Sequence, residues 1–228
     1  MSGYFYHVTY RGYVKLVTST ILLGVEGVKS RRAEYAEQTR AAILTAAAAA
    51  FAGQGFTATS ITQIAEEARV TKGAVYHHFP DKQSLFEAVI NHYNETAQQK
   101  VYQAIAGHVD DVWSAATAAL DATLGVCADP IAGRLLYLEG PIGLGWKRWR
   151  ESERQYTHRN VHNMLLQGIQ EGIFAADAPT AAMTDILAGM ITHAGIALAE
   201  APARRRKRIR RDLQQAMQQV LQGLRSDN

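Results

Sequence analysis

The sequence has few of the residues that staple small extracellular proteins or hold structural metals. Its 228 residues include one cysteine, Cys127, and five prolines. A single cysteine forms no internal disulfide and no thiolate cluster for zinc, so a reducing compartment is favoured and we expect a cytoplasmic protein. The sequence also lacks a Walker loop, a dinucleotide fingerprint and a G-x-S-x-G motif. An enzyme is therefore the weaker expectation, and no cofactor or metal is expected.

The first thirty residues differ in composition from the rest of the chain. Their apolar stretch, residues 16–25, is too short for a bilayer, which needs roughly 20 residues. Arg11 and Lys15 precede it as in a signal peptide, but no small-x-small cleavage site follows. We expect no membrane partner. We interpret residues 1–30 as an atypical extension, disordered or due to a misplaced start, with the native chain beginning at Val25 or Val28. The intact mass of the natively expressed protein tests this interpretation.

Charge is unevenly distributed along the chain. The net charge is +3, but segment 31–100 holds equal numbers of acidic and basic residues. Seven of the eight residues 204–211 are basic. Such blocks are usually solvated or paired with acidic residues, so we favour that interpretation of residues 204–211 over direct contact with DNA.

Helical periodicity continues from Glu37 to the end of the chain and predicts an all-α fold. Gly53 and Gly55 are predicted to end a first helix. Ser60 and Gln63 form an S-x-x-Q capping box, which predicts the start of a short second helix. Further helices are predicted over residues 112–126, 132–139, 146–174 and 180–200, and from about residue 203 onwards. Residues 31–97 and 98–228 are the expected two domains.

Residues 60–79 have the pattern of a helix-turn-helix unit. Thr71 caps a short helix with the sequence K-G-A-V-Y-H-H-F, and Pro80 stops it before Asp81 caps the next helix. Ala74, Val75 and Phe79 can pack inward, which leaves polar residues to face out. A short helix with a polar outer face suits the major groove of DNA.

The stretch from Thr39 to Ile90 resembles the N-terminal domain of the tetracycline-repressor (TetR) family, above all in I-T-Q-I-A-E-E-A-R-V-T-K-G-A-V-Y-H-H-F-P-D-K-Q-S-L-F. The resemblance implies a repressor with an N-terminal helix-turn-helix domain and a C-terminal helical domain for ligand binding and dimerisation. It also implies phosphate contacts near Thr39 and Arg40 at the start of the first helix, and near Ser60 at the start of the second. The resemblance implies that Thr71, Lys72, Gly73 and His77 face the major groove. It also implies that Tyr76 and Lys82 contact phosphates. Arg69 departs from the family, which commonly has glycine at this turn.

The helical second domain is expected to hold an effector between its aromatic and neighbouring side chains. The candidates are Trp113, Tyr137, Trp146, Trp149, His162, Phe174, Met190 and His193. The last two helices have apolar faces that can form a four-helix contact across a two-fold axis. The candidates for this homodimer interface are Met183, Ile186, Leu187, Met190, Leu213, Met217, Val220 and Leu221.

The expected function is that of a dimeric DNA-binding regulator, most simply a repressor that a small molecule releases from a near-palindromic operator in double-stranded DNA. One alternative is an activator or a ligand-independent DNA binder. Another is a metal-dependent enzyme that uses His158 and His162, which stand four residues apart but lack a clear third ligand.

Overall fold

The computed structural model describes residues 31–108 and 110–225. Within these two ranges the chain forms helices and no strand, which confirms the predicted all-α fold. The expectations for residues 1–30, including a start at Val25 or Val28, lie outside the described residues. The α-helices in chain order are α1 (Arg31–Gln54), α2 (Ile61–Glu67), α3 (Lys72–His78), α4 (Lys82–Ile105), α5 (Val112–Cys127), α6 (Gly140–Leu144), α7 (Trp146–Glu153), α8 (Arg159–Gln170), α9 (Thr180–Glu200) and α10 (Ala203–Gly223).

Two π-helical segments and a short 3-10 turn complete the described helical structure. The π-helical segments are Arg134–Glu139, directly before α6, and Arg154–His158, which joins α7 to α8. The 3-10 turn is Ala106–His108. The helix predicted over residues 146–174 is thus interrupted by a π-helical turn and ends at Gln170, close to the left-handed Gly172 (φ 73°).

Helices α1 to α3 pack on the first turns of α4 around a small aromatic and aliphatic core. The buried residues of α1 include Ile43 and Phe51, which lie on its predicted apolar stripe. The rings of Phe51 and Phe86 meet edge to face, with centroids 5.1 Å apart. Burial of each such side chain contributes roughly 1.5–3 kcal/mol, so these contacts fix how α1 and α4 support the two short helices.

Side-chain caps define where the short helices begin. The hydroxyl oxygens of Ser60 and Thr71 accept from the backbone N–H groups of Gln63 (3.2 Å) and Ala74 (3.1 Å). The Asp81 carboxylate caps α4 by accepting from the Ser84 N–H at 2.7 Å. These three predicted caps are confirmed. Only half of the predicted capping box forms, because the Gln63 side-chain amide donates to Glu67 instead.

Helix α4 belongs to both halves of the chain. It begins next to α3 and continues to Ile105 beside α5, so the expected domain boundary at residues 97 and 98 falls inside it. With 24 residues and a rise of about 1.5 Å per residue, α4 spans roughly 36 Å. It is a single continuous helix that connects the helix-turn-helix unit to the C-terminal helices.

By length and composition alone, α9 is apolar enough to cross a membrane, with a mean hydropathy of 1.4. In the described structure it packs against α5, α8 and α10. Leu187, Ala194 and Leu198 are buried in these contacts.

Candidate DNA-binding surface and regulatory cavity

Helix α3 has one polar, exposed face and an opposite face that is buried. Val75 and Phe79 are buried beneath it, as predicted. Lys72, Gly73, Tyr76 and His77 are exposed, and Thr71 is exposed at the helix start. The Lys72 ammonium lies 5.9 Å from the centroid of the Tyr76 ring. The α3 surface is defined here as Thr71, Lys72, Gly73, Tyr76 and His77, and it offers a cation, hydroxyl groups and an imidazole on one side.

His78 belongs to the base of this helix and not to its outer face. It is half-buried, whereas His77 is exposed. Burial, followed by the positive charges of His77 and Arg40, lowers the pKa of His78. Lys72 and His77 are therefore the basic side chains of α3 that are exposed to solvent.

Gly73 leaves open space on the α3 surface. A Cβ atom built at this position would meet only the Thr71 hydroxyl, at 3.8 Å, and the residue has no positive φ. The packing of the protomer therefore does not require glycine here. Close approach of an external partner to the backbone is a separate reason for a residue without a side chain.

Thr39 and Arg40 do not lie at the start of the first helix, so that part of the prediction is wrong. Helix α1 begins at Arg31, which places both residues in its interior, where backbone N–H groups are paired along the helix. The argument from a free helix N-terminus therefore does not apply to them. Arg40 is exposed, and its guanidinium lies 5.1 Å from the ring centroid of Phe79 at the end of α3. Its phosphate contact stays a prediction that rests on side-chain charge.

The structure gives Lys82 a role different from the predicted phosphate contact. Its ammonium donates to the backbone carbonyl oxygens of Phe56 (2.9 Å), Thr59 (3.1 Å) and Thr57 (3.3 Å). The ammonium also lies 4.6 Å from the centroid of the Phe56 ring. A lysine has three N–H donors, and all three are engaged in holding the loop between α1 and α2. Lys82 thereby sets the position of Ser60 at the start of α2.

Arg69 adopts the left-handed conformation, with φ 56°. It is the residue in the turn between α2 and α3 at which the family commonly has glycine. A side chain in this conformation costs about 1–2 kcal/mol, so the turn keeps its usual geometry at the expense of local strain.

A cavity of about 170 Å³ lies among the C-terminal helices. Four of the predicted ligand residues line it: Trp113, Tyr137, Phe174 and Met190. Much of its wall comes from one face of α4, including Asn94, Gln98 and Tyr102. Sequence reasoning missed these residues, although their spacing of four along α4 is the signal that could have found them.

The other four predicted ligand residues do not line the cavity. Trp146 is 67% exposed, and the Trp149 indole N–H donates to the Leu136 carbonyl oxygen at 2.8 Å. His162 contacts the Thr184 hydroxyl at 3.3 Å, and His193 is exposed on α9. Composition identified these side chains as aromatic or polar, but the direction in which they point depends on the packing of α7 to α9.

The predicted interface residues of α9 and α10 divide between two faces. Leu187, Met190, Met217 and Leu221 line the cavity inside the protomer. Leu187 and Met217 are buried there, which removes them from an outward-facing interface. Met183 and Leu213 are half-buried, whereas Ile186 and Val220 are 63% and 43% exposed. The outward face of the two helices therefore has Ile186 and Val220 as its large apolar residues.

The two histidines considered for a metal site bond to different partners on α9. His158 Nε2 lies 3.1 Å from Asp185 Oδ1, and His162 Nδ1 contacts Thr184. Among the described residues, no group of three histidine, cysteine or acidic side chains is arranged to hold a metal ion.

One contact joins the wall of the cavity to the helix-turn-helix unit. The π-helical segment Arg134–Glu139 contributes Leu136 and Tyr137 to the cavity and ends in Glu139, which is buried. Glu139 Oε2 accepts from the backbone N–H of Phe56 at 2.9 Å, in the loop that Lys82 also holds. The segment therefore contacts both the cavity and the loop that precedes α2.

The fold and surface together define a helix-turn-helix regulator with a helical regulatory domain. The family model for bacterial regulatory proteins of the tetR family matches residues 43–89, and the model for the tetracyclin repressor-like C-terminal domain matches residues 113–224. These two segments cover more than half of the chain. The chain belongs to the TetR family.

Individual relatives agree with this assignment. The HTH-type transcriptional regulator TtgR of Pseudomonas putida is 44% identical over 66 residues, which span 29% of this chain and 31% of TtgR. The TetC protein of transposon Tn10 from Escherichia coli is 25% identical over 169 residues, 74% of this chain and 84% of TetC. A crystal structure of a TetR-family transcriptional regulator from Pectobacterium atrosepticum superposes with a TM-score of 0.70 at 25% identity, covering 87% of this chain and 99% of that one.

Proposed function

We propose that the protein is a homodimeric, sequence-specific DNA-binding repressor that a small molecule releases from a near-palindromic operator. The observation that carries this proposal is the path of α4, which starts beside the α3 surface and continues into the wall of the cavity. A ligand that shifts α4 changes the position of α3 at the same time. We propose that the protein acts in the cytoplasm, and the single cysteine supports this localisation.

The proposed DNA contacts divide into two kinds. Lys72 and His77 project from the exposed side of α3 and suit base edges in the major groove. The Tyr76 hydroxyl, the Arg40 guanidinium and the start of α2 at Ser60 suit phosphates, which fix register without reading sequence. Lys82 contributes indirectly, because it holds the loop before Ser60.

The proposed switch needs only a modest coupling energy. A difference of about 1–3 kcal/mol between two arrangements of the domains changes DNA affinity roughly 5- to 150-fold. Contacts through α4 and through the Glu139 hydrogen bond to Phe56 support such coupling, since both connect cavity-lining elements to the helix-turn-helix unit. In a dimer the altered domain spacing no longer matches the two half-sites.

Gel-shift and footprinting assays on the DNA upstream of the protein's own gene test the proposal. We expect Gly73→Ala to leave stability unchanged or raised, because alanine favours helix by about 1 kcal/mol, and yet to weaken operator binding. Lys72→Ala and His77→Ala should change sequence preference, whereas Tyr76→Phe should weaken binding to specific and random DNA alike. Equal effects of all four variants on both kinds of DNA would contradict the assignment of α3 as the reading helix.

A further inference from the structure

The cavity offers no counter-charge to a ligand. Among the described residues that line it, none has an acidic, basic or imidazole side chain. Two pairs of charged groups on neighbouring wall elements have partners outside the cavity. Glu153 accepts from the Thr192 hydroxyl at 2.6 Å and pairs with Arg150, and Arg210 pairs with Asp121 at 2.7 Å. A charged ligand would therefore lose its hydration without gaining an ion pair, which is strongly unfavourable.

The cavity has the size of a small ring system. Its volume of about 170 Å³ is close to that of a cavity of roughly 150 Å³ that binds benzene in another protein. Leu120, Leu165, Phe174 and Leu187 are buried side chains of this wall. They provide an apolar surface that suits an aromatic ring better than an extended polar molecule.

Polar atoms on α4 and α8 add a limited capacity for hydrogen bonds. The side-chain amide of Asn94 donates to Ser152 at 2.9 Å, and that of Gln98 donates to Tyr102 at 2.6 Å. The carbonyl oxygens of both amides accept no hydrogen bond from any described side chain or backbone group. Asn160 also lines the cavity with an amide that has no described partner. Acceptors with free capacity suit a ligand that carries a hydroxyl or amide N–H donor.

We infer that the effector is an uncharged compound of about one aromatic ring with one or two hydrogen-bond donors, a phenol or carboxamide and not a carboxylate. This inference rests on the proposed function, because it specifies the ligand of the same regulatory cavity.

The test compares two ligands that are nearly identical in shape and differ in charge. Benzamide and benzoate are titrated into the full-length protein at neutral pH by isothermal titration calorimetry, with 4-methylphenol as a second neutral probe. We expect the neutral probes to bind at least about tenfold more tightly than benzoate, which corresponds to about 1.4 kcal/mol. Benzoate binding as tightly as benzamide would overturn the inference, and so would the absence of binding by both neutral probes at millimolar concentration.

Two variants test whether the neutral probes bind in this cavity. Ala119→Leu fills space in the wall and should lower affinity for the neutral probes at least about tenfold, whereas Ala49→Leu on the exposed side of α1 should leave it unchanged. Gln98→Lys adds a cation to the wall and should invert the preference in favour of benzoate. If Ala119→Leu and Ala49→Leu bind the probes equally, the site lies elsewhere and the inference fails.

The same ligands added to the protein bound to its operator separate the inference from the proposed function. Neutral probes that bind in the cavity without lowering DNA affinity would contradict the effector role and leave the ligand class intact. Release of DNA by benzoate but not by benzamide would contradict the ligand class and leave the effector role intact.

Discussion

Lys82 is the side chain that holds the loop between α1 and α2, since its ammonium donates to three backbone carbonyl oxygens. Lys82→Met keeps most of the aliphatic packing and removes these donors. We expect the free energy of unfolding to fall by about 2 kcal/mol, because hydrogen bonds from charged donors contribute roughly 1.5–3 kcal/mol each and this site is only half-buried. Urea denaturation at fixed protein concentration measures the change.

A phosphate-binding role for Lys82 would give a different result. In that case Lys82→Met would leave stability unchanged. The slope of the logarithm of DNA affinity against the logarithm of salt concentration would become less steep by about one. Lys72→Met is the matched control, because Lys72 is exposed on α3 and its described contact is with the Tyr76 ring alone. It should affect DNA binding without the loss of stability.

The turn between α2 and α3 stores strain at Arg69, where φ is 56°. Arg69→Gly relieves roughly 1–2 kcal/mol of left-handed strain and loses roughly 0.5–1 kcal/mol to the greater freedom of glycine in the unfolded chain. We expect Arg69→Gly to be more stable than Arg69→Ala by about 0.5–1 kcal/mol, since alanine keeps the strain and removes the same exposed side chain. Chemical denaturation of both variants provides the comparison, and a glycine variant less stable than the alanine variant would show that the turn is not strained.

Local signals made the helix-turn-helix unit predictable residue by residue. Ser60, Thr71 and Asp81 cap helices through bonds to residues three positions on, so the sequence itself contains both partners of each bond. The position of the Lys82 ammonium depends on a loop about 25 residues away in the chain. No local pattern distinguishes such a lysine from one that faces DNA.

Among the elements, the π-helical segment Arg134–Glu139 contacts both the cavity and the helix-turn-helix unit. Glu139→Ala leaves the Phe56 N–H without its acceptor, which should cost about 1–3 kcal/mol of stability. It should also reduce the effect of a bound ligand on operator affinity, because a hydrogen bond between the cavity wall and the helix-turn-helix unit is lost. Denaturation together with gel shifts at several ligand concentrations measures both effects.

Glu139→Gln and Glu151→Ala are the controls for this element. Glutamine keeps an acceptor oxygen for Phe56 and should restore most of the stability and the coupling. Glu151 is an exposed acidic residue of α7, so its removal should change neither quantity. Full coupling in Glu139→Ala would show that the Phe56 hydrogen bond does not transmit the effect of the ligand.

Elements were predictable where periodicity alone defines them, and less so where several helices meet. The apolar stripes of α1 and α9 predicted that both helices exist. Helix α9 has its predicted extent, whereas α1 begins at Arg31, before the predicted start at Glu37. The cavity depends on which face of α4 and α8 turns inward after packing, and Trp146 illustrates the failure because its aromatic character gave no indication that it points to solvent. The π-helical turns follow from tertiary contacts and left no readable signal in the sequence.

At the level of the whole molecule, the outward face of α9 and α10 is the proposed dimer interface. Ile186 and Val220 are its large exposed apolar residues, and Gly189 and Ala216 are exposed small residues on the same two helices. Small residues next to large ones allow helices to approach closely across a two-fold axis. Leu187 and Met217 line the cavity on the inner side of the same two helices, so the cavity lies behind this proposed interface.

Ile186→Glu introduces a charge on this face and should dissociate the dimer, because each protomer would bury a carboxylate at the proposed two-fold interface. Sedimentation velocity at micromolar concentration should show a dimer for the unmodified protein and a monomer for the variant. Ile142→Glu is the matched control, since Ile142 is 61% exposed, against 63% for Ile186, and lies on α6 away from the proposed face. We expect this control to remain dimeric.

The monomeric variant should also lose binding to the palindromic operator, because a monomer has only one recognition helix and can bind only one half-site. A dimeric Ile186→Glu together with a monomeric Ile142→Glu would move the interface to the α6 side and separate it from the ligand cavity.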